Sequence, residues 1–181
     1  MTLEDRIHWD ARYAAVGPTP EGAPSPPPVF APHEAVFPTA GQAIELACGR
    51  GRTSVWLAAR GLSVWGMDVS PVALDLARDL AARHGVAARC RFEVVDLDDG
   101  LPDGPPVDLV VCHLFRDRRL DGVVTGRLSP GGLLAIAVLS EVDVGPGPFR
   151  AAPGELREAF GGLDVVAEAE RDGQAWLLAR R

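Results

Sequence analysis

The pattern of apolar and polar positions changes near residue 41. Beyond it, short apolar runs recur and predict β-strands at 43–47, 62–67, 90–95, 107–112 and 132–139. Segments with helical spacing accompany them, at about 52–60, 71–83, 117–127 and 153–160. Alternating strands and helices are typical of a parallel sheet covered on both faces. In the last 19 residues two apolar runs flank Asp172-Gly173, which predicts a terminal antiparallel hairpin.

The helix at 71–83 has the clearest ends. Ser70 is a suitable N-cap, and Pro71 fits the first turn because its fixed φ is already helical. Gly85 stands where a helix commonly ends in the left-handed conformation. A helix at 71–83 is long enough to form the crossover connection that two neighbouring parallel strands require.

The first 42 residues follow a different pattern and are predicted to form a separate segment, 1–42, ahead of a compact domain at 43–181. Residues 2–15 favour a short helix, whereas residues 17–38 hold half of the chain's 16 prolines, which argues against regular structure there. Trp9 and Tyr13 share one face of that helix. Two interpretations stay open. One is a flexible linker or a polyproline ligand for another protein; the other, which we favour, is a lid that places these aromatic rings over a ligand.

Composition narrows the function classes. The formal net charge of −7 and the pI near 5.0 argue against a nucleic-acid or anionic-membrane surface, which needs clustered Lys and Arg. The three cysteines include no CxxC pair, so neither a disulfide framework nor a metal site is expected. No apolar run reaches membrane-spanning length, and no secretion signal is evident in MTLEDRIHWD. We expect a cytoplasmic protein, as a monomer or homodimer.

The stretch AIELACGRGRTS, residues 43–54, carries the first chemical clue. It predicts a strand, a turn with Gly49 and Gly51, and the start of a helix, as at the beginning of many nucleotide-binding folds. Ser54 stands where a dinucleotide fingerprint has its third glycine. Taken alone, the motif also fits a tight strand–helix turn that binds nothing.

Acidic residues at three strand ends favour a ligand. Glu45 ends the first strand, Asp68 the second and Asp96 the third, and open α/β sheets bind ligands at that edge. An acid there loses solvation unless something pairs with it. The three together suit a ligand with ribose hydroxyls, an exocyclic amine and a positive charge.

Four ordered motifs resemble those of class I S-adenosylmethionine-dependent methyltransferases: IELACGRGRTSVWLAARG, VWGMDVSP, VVDLDD and RLSPGGLLAIAV. The match covers residues 43–139, and HWDARY with the proline-rich lead-in resembles the small tellurite-resistance and thiopurine methyltransferase-like branch. The resemblance implies a Rossmann-like, doubly wound, seven-stranded and mostly parallel sheet of order 3-2-1-4-5-7-6. It departs at Ala47, where many members have glycine.

The resemblance also implies S-adenosyl-L-methionine as cofactor and gives roles to individual positions. The acid at Glu45 and the two glycines would lie under the methionine part, Asp68 would hold the ribose, and Asp96 and Leu97 would receive the adenine. With the neighbouring positions and the lid aromatic, the expected cofactor-binding set is Glu45, Ala47, Gly49, Gly51, Asp68, Val69, Asp96, Leu97, Cys112 and Trp9.

The expected reaction is in-line transfer of a methyl group to a small-molecule acceptor. His113, just past the fourth strand, is the candidate general base, although it also fits a purely structural role. Arg118 and Arg150 are candidates for an anionic substrate, and both also fit exposed structural positions. Alternative functions are a non-catalytic binding or scaffold protein of the same fold and, less favoured, a dinucleotide-dependent oxidoreductase.

Overall fold

A computed structural model of the chain describes residues 3–20, 22–147 and 150–181. It divides into two compact units, Met1–Pro102 and Asp103–Arg181. The division into 1–42 and 43–181 expected from the sequence stays a prediction. Within the described ranges, no helix is both long and apolar enough to cross a membrane.

The first unit is built from three parallel strands and the helices that connect them. Strands β1 (Gln42–Leu46), β2 (Ser63–Asp68) and β3 (Cys90–Val94) lie in the order β3-β2-β1. Its helices are α1 (Leu3–Val16), α2 (Arg52–Ala59) and α3 (Pro71–Arg83), with 3₁₀ segments at Pro28–Val36, Ala87–Arg89 and Leu97–Asp99. The predicted first helix, 2–15, thus matches α1, except that Thr2 lies outside the described residues.

Local signals account for the ends of α3. The Ser70 hydroxyl oxygen accepts the Ala73 N–H at 3.1 Å, and Pro71 occupies the first helical position. Gly85 has φ +69°, the left-handed conformation that ends the helix. The apolar face of α3 packs against α2 and β3 in a core formed by Cys48, Val55, Leu74, Ala77, Leu80, Ala81 and Phe92.

The proline-rich region contains more order than its composition predicts. A 3₁₀ segment runs from Pro28 to Val36, interrupted by non-helical angles at His33. Phe30 and Phe37 are buried, and Phe37 packs against Trp56 of α2 with ring centroids 5.1 Å apart. Prolines suit this path because a 3₁₀ turn needs few backbone donors. Residues 28–37 therefore belong to the packed first unit, and the sequence expectation of no regular structure there is corrected.

The second unit combines parallel and antiparallel pairing. Its strands are β4 (Val107–His113), β5 (Leu128–Ser140), β6 (Arg150–Ala151), β7 (Asp164–Arg171) and β8 (Gln174–Arg180). Their order is β4-β5-β8-β7, and the two-residue β6 pairs with β5. β4 and β5 are parallel, whereas β8 is antiparallel to both β5 and β7. Its helices are α4 (Asp121–Arg127) and α5 (Glu155–Ala159), with a 3₁₀ turn at Arg118–Leu120.

The strand order within each unit agrees with the order expected from the resemblance, 3-2-1 and then 4-5 followed by the hairpin. The strand β6 was not predicted, since two residues give no periodicity to recognise. The fold is therefore mixed α/β with mostly parallel strands and an antiparallel C-terminal hairpin, as predicted.

Candidate functional site

The glycine turn after β1 has an unusual backbone. Ala47, Gly49 and Gly51 have φ values of +50°, +53° and +71°, so three of five successive residues lie in the left-handed region. A Cβ on Gly51 would lie 2.7 Å from the Cβ of Ala77, so this glycine also lets α2 and α3 pack closely. Ala47, the departure from the family pattern, therefore occupies a conformation that favours glycine.

Asp68 is fixed by backbone donors on both sides. Its Oδ2 accepts the Gly49 N–H at 2.8 Å, and its Oδ1 accepts the Ser70 N–H at 2.9 Å. The residue is 6% exposed, and burial raises the pKa of its carboxyl group. The Val69 backbone also bonds to this carboxyl group, and all three backbone bonds oppose the rise in pKa. A carboxylate offers about four lone-pair positions, so acceptor capacity remains for a ribose hydroxyl.

Glu45 is the second buried acid of this edge. It is 3% exposed, and the Ser54 hydroxyl donates to its Oε2 at 2.5 Å. Burial raises the pKa of this carboxyl to about 7, with hydrogen bonds from Ser54 and Thr53 opposing the rise. Ser54 stands where a dinucleotide fingerprint has its third glycine. At this position the chain therefore has a hydroxyl group, which donates to Glu45 near the end of β1.

Three more positions that are expected to bind the cofactor follow β2 or β3: Val69, Asp96 and Leu97. Asp96 is half-buried, and its Oδ1 accepts the Asp98 N–H at 2.9 Å, which caps the 3₁₀ turn that follows. Leu97 and Val69 are buried at 1% and 5% exposure. In the parallel register Val94 lies beside Asp68, so the ends of β2 and β3 are adjacent, as the sequence analysis required.

Helix α1 brings its aromatic residues to the same turn. Trp9 stacks on Tyr13, with ring centroids 5.8 Å apart, and a Cβ on Gly49 would lie 2.8 Å from the Tyr13 hydroxyl oxygen. Burial, with Asp68 nearby, raises the pKa of Tyr13 to about 12, so this hydroxyl stays protonated at neutral pH. The structure therefore places Tyr13 directly on the glycine turn, with the predicted Trp9 stacked behind it.

Three side chains near this edge have no site role that the sequence predicts, apart from capping by Ser70: those of Asp10, Ser54 and Ser70. The Ser70 hydroxyl donates to Asp10 Oδ1 at 2.5 Å. The available signals were the position of Asp10 on the same helical face as Tyr13 and the position of Ser54 in the glycine motif. Neither signal identifies a partner, because the partners come from other elements.

His113 and Cys112 end β4 in the second unit. His113 is half-buried, and burial lowers the pKa of its imidazole from the ordinary 6.5. It is therefore neutral at pH 7, the form that accepts a proton. Cys112 is buried, and its Sγ lies 3.1 Å from the Phe115 carbonyl oxygen.

Arg118 and Arg150, which are predicted to bind an anionic substrate, form contacts with other residues of the second unit. Arg118 pairs with Glu155, which also accepts from Arg116 at 2.8 Å, although Arg118 itself stays 67% exposed. The Arg150 guanidinium donates to the Ser140 carbonyl oxygen at 2.7 Å. These contacts give both residues structural roles, and their substrate roles stay predictions.

Comparison with known proteins identifies the domain. Residues 43–132 match the family described as "Methyltransferase domain". The chain is 35% identical over 141 residues to ribosomal RNA small subunit methyltransferase C of Alcanivorax borkumensis, covering 72% of this chain and 40% of that protein. The chain belongs to the class I S-adenosylmethionine-dependent methyltransferases. Its cofactor is therefore S-adenosylmethionine.

Two further proteins are similar to this chain, one in sequence and one in fold. The chain is 28% identical over 129 residues to 2-heptyl-1-hydroxyquinolin-4(1H)-one methyltransferase of Mycobacteroides abscessus, covering 65% of this chain and 56% of that protein. Its fold is similar to that of TehB from Haemophilus influenzae, with a TM-score of 0.70, 18% identity and coverage of 78% and 58%. The chain spans about half the length of these two curated methyltransferases.

The residues of the first unit fit the cofactor. Asp68 keeps acceptor capacity for a ribose hydroxyl, and Gly49 and Gly51 place no Cβ atoms at the same edge. Two buried acids of raised pKa, Glu45 and Asp68, suit a ligand that carries positive charge.

Proposed function

We propose that this methyltransferase transfers a methyl group to a small-molecule acceptor by in-line displacement, with the cofactor held by the first unit. When bound, S-adenosylmethionine supplies a methyl group activated by its sulfonium. The observation that carries the proposal is Asp68, a buried carboxylate whose oxygens are fixed by Gly49 and Ser70 yet retain acceptor capacity.

The remaining cofactor contacts are proposed from the predicted positions. Asp96 accepts the adenine amine, while Leu97 and Val69 provide buried apolar contact for the ring. The aromatic residues of α1 cover the glycine turn and exclude water from the ligand. Residues 3–16 are therefore the lid, since residues 28–37 have a packing role of their own.

The charge of the chain supports a small acceptor. The relatives named above act on ribosomal RNA and on a quinolone, so membership of the family leaves both classes open. A net charge of −7 disfavours an RNA backbone, because binding one requires several phosphates to be neutralised. In-line transfer then needs mainly alignment of the acceptor and exclusion of water.

His113 is proposed as the general base for an acceptor that loses a proton. Burial lowers the pKa of its imidazole, so the neutral form persists to lower pH than for an exposed histidine. A thiol, with an ordinary pKa near 8.5, would need this help least, and an alcohol or amide would need it most.

The test uses the full chain and S-adenosylmethionine with an isotopically labelled methyl group. Parallel reactions contain small-molecule thiols, hydroxyquinolines, a metabolite extract, or ribosomal RNA, and label is followed by mass spectrometry. We expect labelled product in a small-molecule reaction, and none with Asp68→Ala. Asp75→Ala, which removes an exposed acid paired with Arg78 on α3, is the matched control and should stay active.

Label in ribosomal RNA alone would contradict the small-molecule proposal. Cofactor binding without product in any reaction would favour the non-catalytic binding protein. Binding of NADH in preference to S-adenosylmethionine, measured by tryptophan fluorescence, would instead favour the oxidoreductase.

A further inference from the structure

Among residues 4–16, helix α1 faces the rest of the first unit with aromatic and acidic side chains rather than aliphatic ones. Trp9, Asp10 and Tyr13 are half-buried, whereas Ile7 and Val16 are 59% and 55% exposed. Asp5 is also half-buried, and the four positions share one side of the helix. A 14-residue helix is marginal on its own, so α1 depends on these particular contacts to stay in place.

Ser70 links this face to the ribose-binding acid. Its hydroxyl donates to Asp10 Oδ1 at 2.5 Å and accepts the Ala73 N–H at 3.1 Å. Its backbone N–H donates to Asp68 Oδ1 at 2.9 Å. One residue therefore joins α1, the start of α3 and the carboxylate that ends β2.

A second contact of α1 reaches the other oxygen of the same carboxylate. Tyr13 lies against Gly49, whose N–H donates to Asp68 Oδ2. Arg50, next along the turn, donates to the Gly17 carbonyl just past the end of α1 at 3.0 Å. The groups that orient Asp68 on both sides are thus the groups that α1 touches.

We propose that Asp10 is a positioning residue for the cofactor: by accepting the Ser70 hydroxyl, it holds α1 across the glycine turn and keeps Asp68 oriented toward the ribose. The inference rests on the proposed function and extends it to a residue outside the expected cofactor-binding set. A carboxylate suits this task because a charged acceptor forms a stronger hydrogen bond than a neutral one.

Asp10 also contacts Arg6, and this contact is weak. Arg6 Nε lies 3.9 Å from Asp10 Oδ2, one helical turn away, with a side chain 47% exposed. Pairs of this kind contribute little to stability. Arg6→Ala therefore provides a matched control, since it removes this contact and leaves the bond to Ser70.

The affinity for S-adenosylmethionine is compared by calorimetry in the full chain. Loss of a hydrogen bond to a charged group weakens an equilibrium by roughly 10- to 150-fold, and Asp10→Ala should show a loss near the lower end because Asp10 acts through Ser70. Asp10→Asn keeps an acceptor oxygen and should stay within about fivefold of the wild type. Arg6→Ala should match the wild type. An unchanged affinity in Asp10→Ala would overturn the proposal.

Hydrogen exchange without ligand tests the anchoring separately from cofactor binding. We expect Asp10→Ala to lose protection in residues 3–16 while α3 stays protected, and Asp10→Asn and Arg6→Ala to keep it. Retained protection in Asp10→Ala would overturn the anchoring. If the wild type bound no S-adenosylmethionine while Asp10→Ala still released α1, the anchoring would stand and the proposed function would fail.

Discussion

Glu45 in the first unit and Glu155 in the second are both largely removed from solvent, yet their pKa values move in opposite directions. Glu45 lies against hydroxyl groups, and burial raises its pKa to about 7. Glu155 pairs with Arg116 and Arg118, and chiefly the bond from Arg118 lowers its pKa to about 2. The first arrangement leaves charge uncompensated, whereas the second neutralises it within the fold.

The difference separates the proposed binding edge from a structural cluster. Asp68 shares the raised pKa of Glu45, so the acids at the ends of β1 and β2 both favour a ligand that supplies donors or positive charge. In the second unit Arg116 also forms two bonds to Asp121, at 2.5 and 2.9 Å, and needs nothing further. The proposed site is therefore distinguished by buried carboxyl groups that have no cationic partner in the part of the chain that the structure describes, and not by the mere presence of acids.

The largest effect is expected from a change in the second unit that lowers turnover without weakening cofactor binding. His113→Ala, in the second unit, should lower turnover by about 10²- to 10⁴-fold for an oxygen or nitrogen acceptor, with cofactor affinity nearly unchanged. In the wild type, activity should fall as the pH drops below the lowered pKa of this histidine, because the protonated ring cannot accept a proton. Steady-state kinetics with calorimetry checks both. A normal rate would return His113 to a structural role.

Asp68→Ala should weaken S-adenosylmethionine binding by roughly 10- to 150-fold for each ribose bond lost. Asp96→Ala should weaken it less, because the adenine keeps apolar contacts with buried Leu97. Calorimetry on the folded variants ranks the two. Glu155→Gln is the control from the second unit and should leave affinity intact. A larger loss at Asp96 than at Asp68 would reverse the proposed roles.

The buried acids should also control stability against pH. Between pH 4.5 and 7 the folded protein binds more protons at Glu45 than the unfolded chain does, so the free energy of unfolding should fall as pH rises. The fall is up to about 3 kcal/mol, and Asp68 adds to it in the same direction. Urea unfolding of Glu45→Gln across this range should show a flatter dependence.

Glu155 provides the opposite control for that measurement. Because its pKa is lowered, its contribution to stability is present above pH 4.5 and is lost as the pH falls toward 2. Glu155→Gln should therefore leave the dependence between pH 4.5 and 7 unchanged. If Glu155→Gln rather than Glu45→Gln flattened that range, the contrast between the two units would be wrong.

The smallest expected effect is a change in stability at Ala47, in the glycine turn after β1. Ala47 has φ +50°, where an alanine is strained and a glycine is not. Ala47→Gly should raise the free energy of unfolding by roughly 0.5 kcal/mol, since relief of strain exceeds the added entropy of the unfolded chain. Thermal unfolding measures the change, and Ala59→Gly on the exposed side of α2 should instead destabilise.

The sequence alone determined most of the strands and helices, though not β6 or the 3₁₀ segment Pro28–Val36, and the edge that carries the acids. Apolar periodicity located the strands, capping by Ser70 located α3, and Asp172-Gly173 located the hairpin, because each of these signals depends on neighbouring residues. Glu45, Asp68 and Asp96 lie at or just past the carboxyl ends of their strands, and those ends meet once the pairing is parallel. Their positions could therefore be predicted without a structure.

Only the tertiary structure decided how those side chains are paired. Asp10 meets Ser70 across 60 residues of sequence, Arg116 meets Glu155 across 39, and Phe37 packs on Trp56 from a segment whose prolines indicated no regular structure. Such contacts join different elements, and no local period records them. The pKa of each acid follows from those contacts and from burial, so the distinction between the binding edge and the structural cluster exists only in the folded chain.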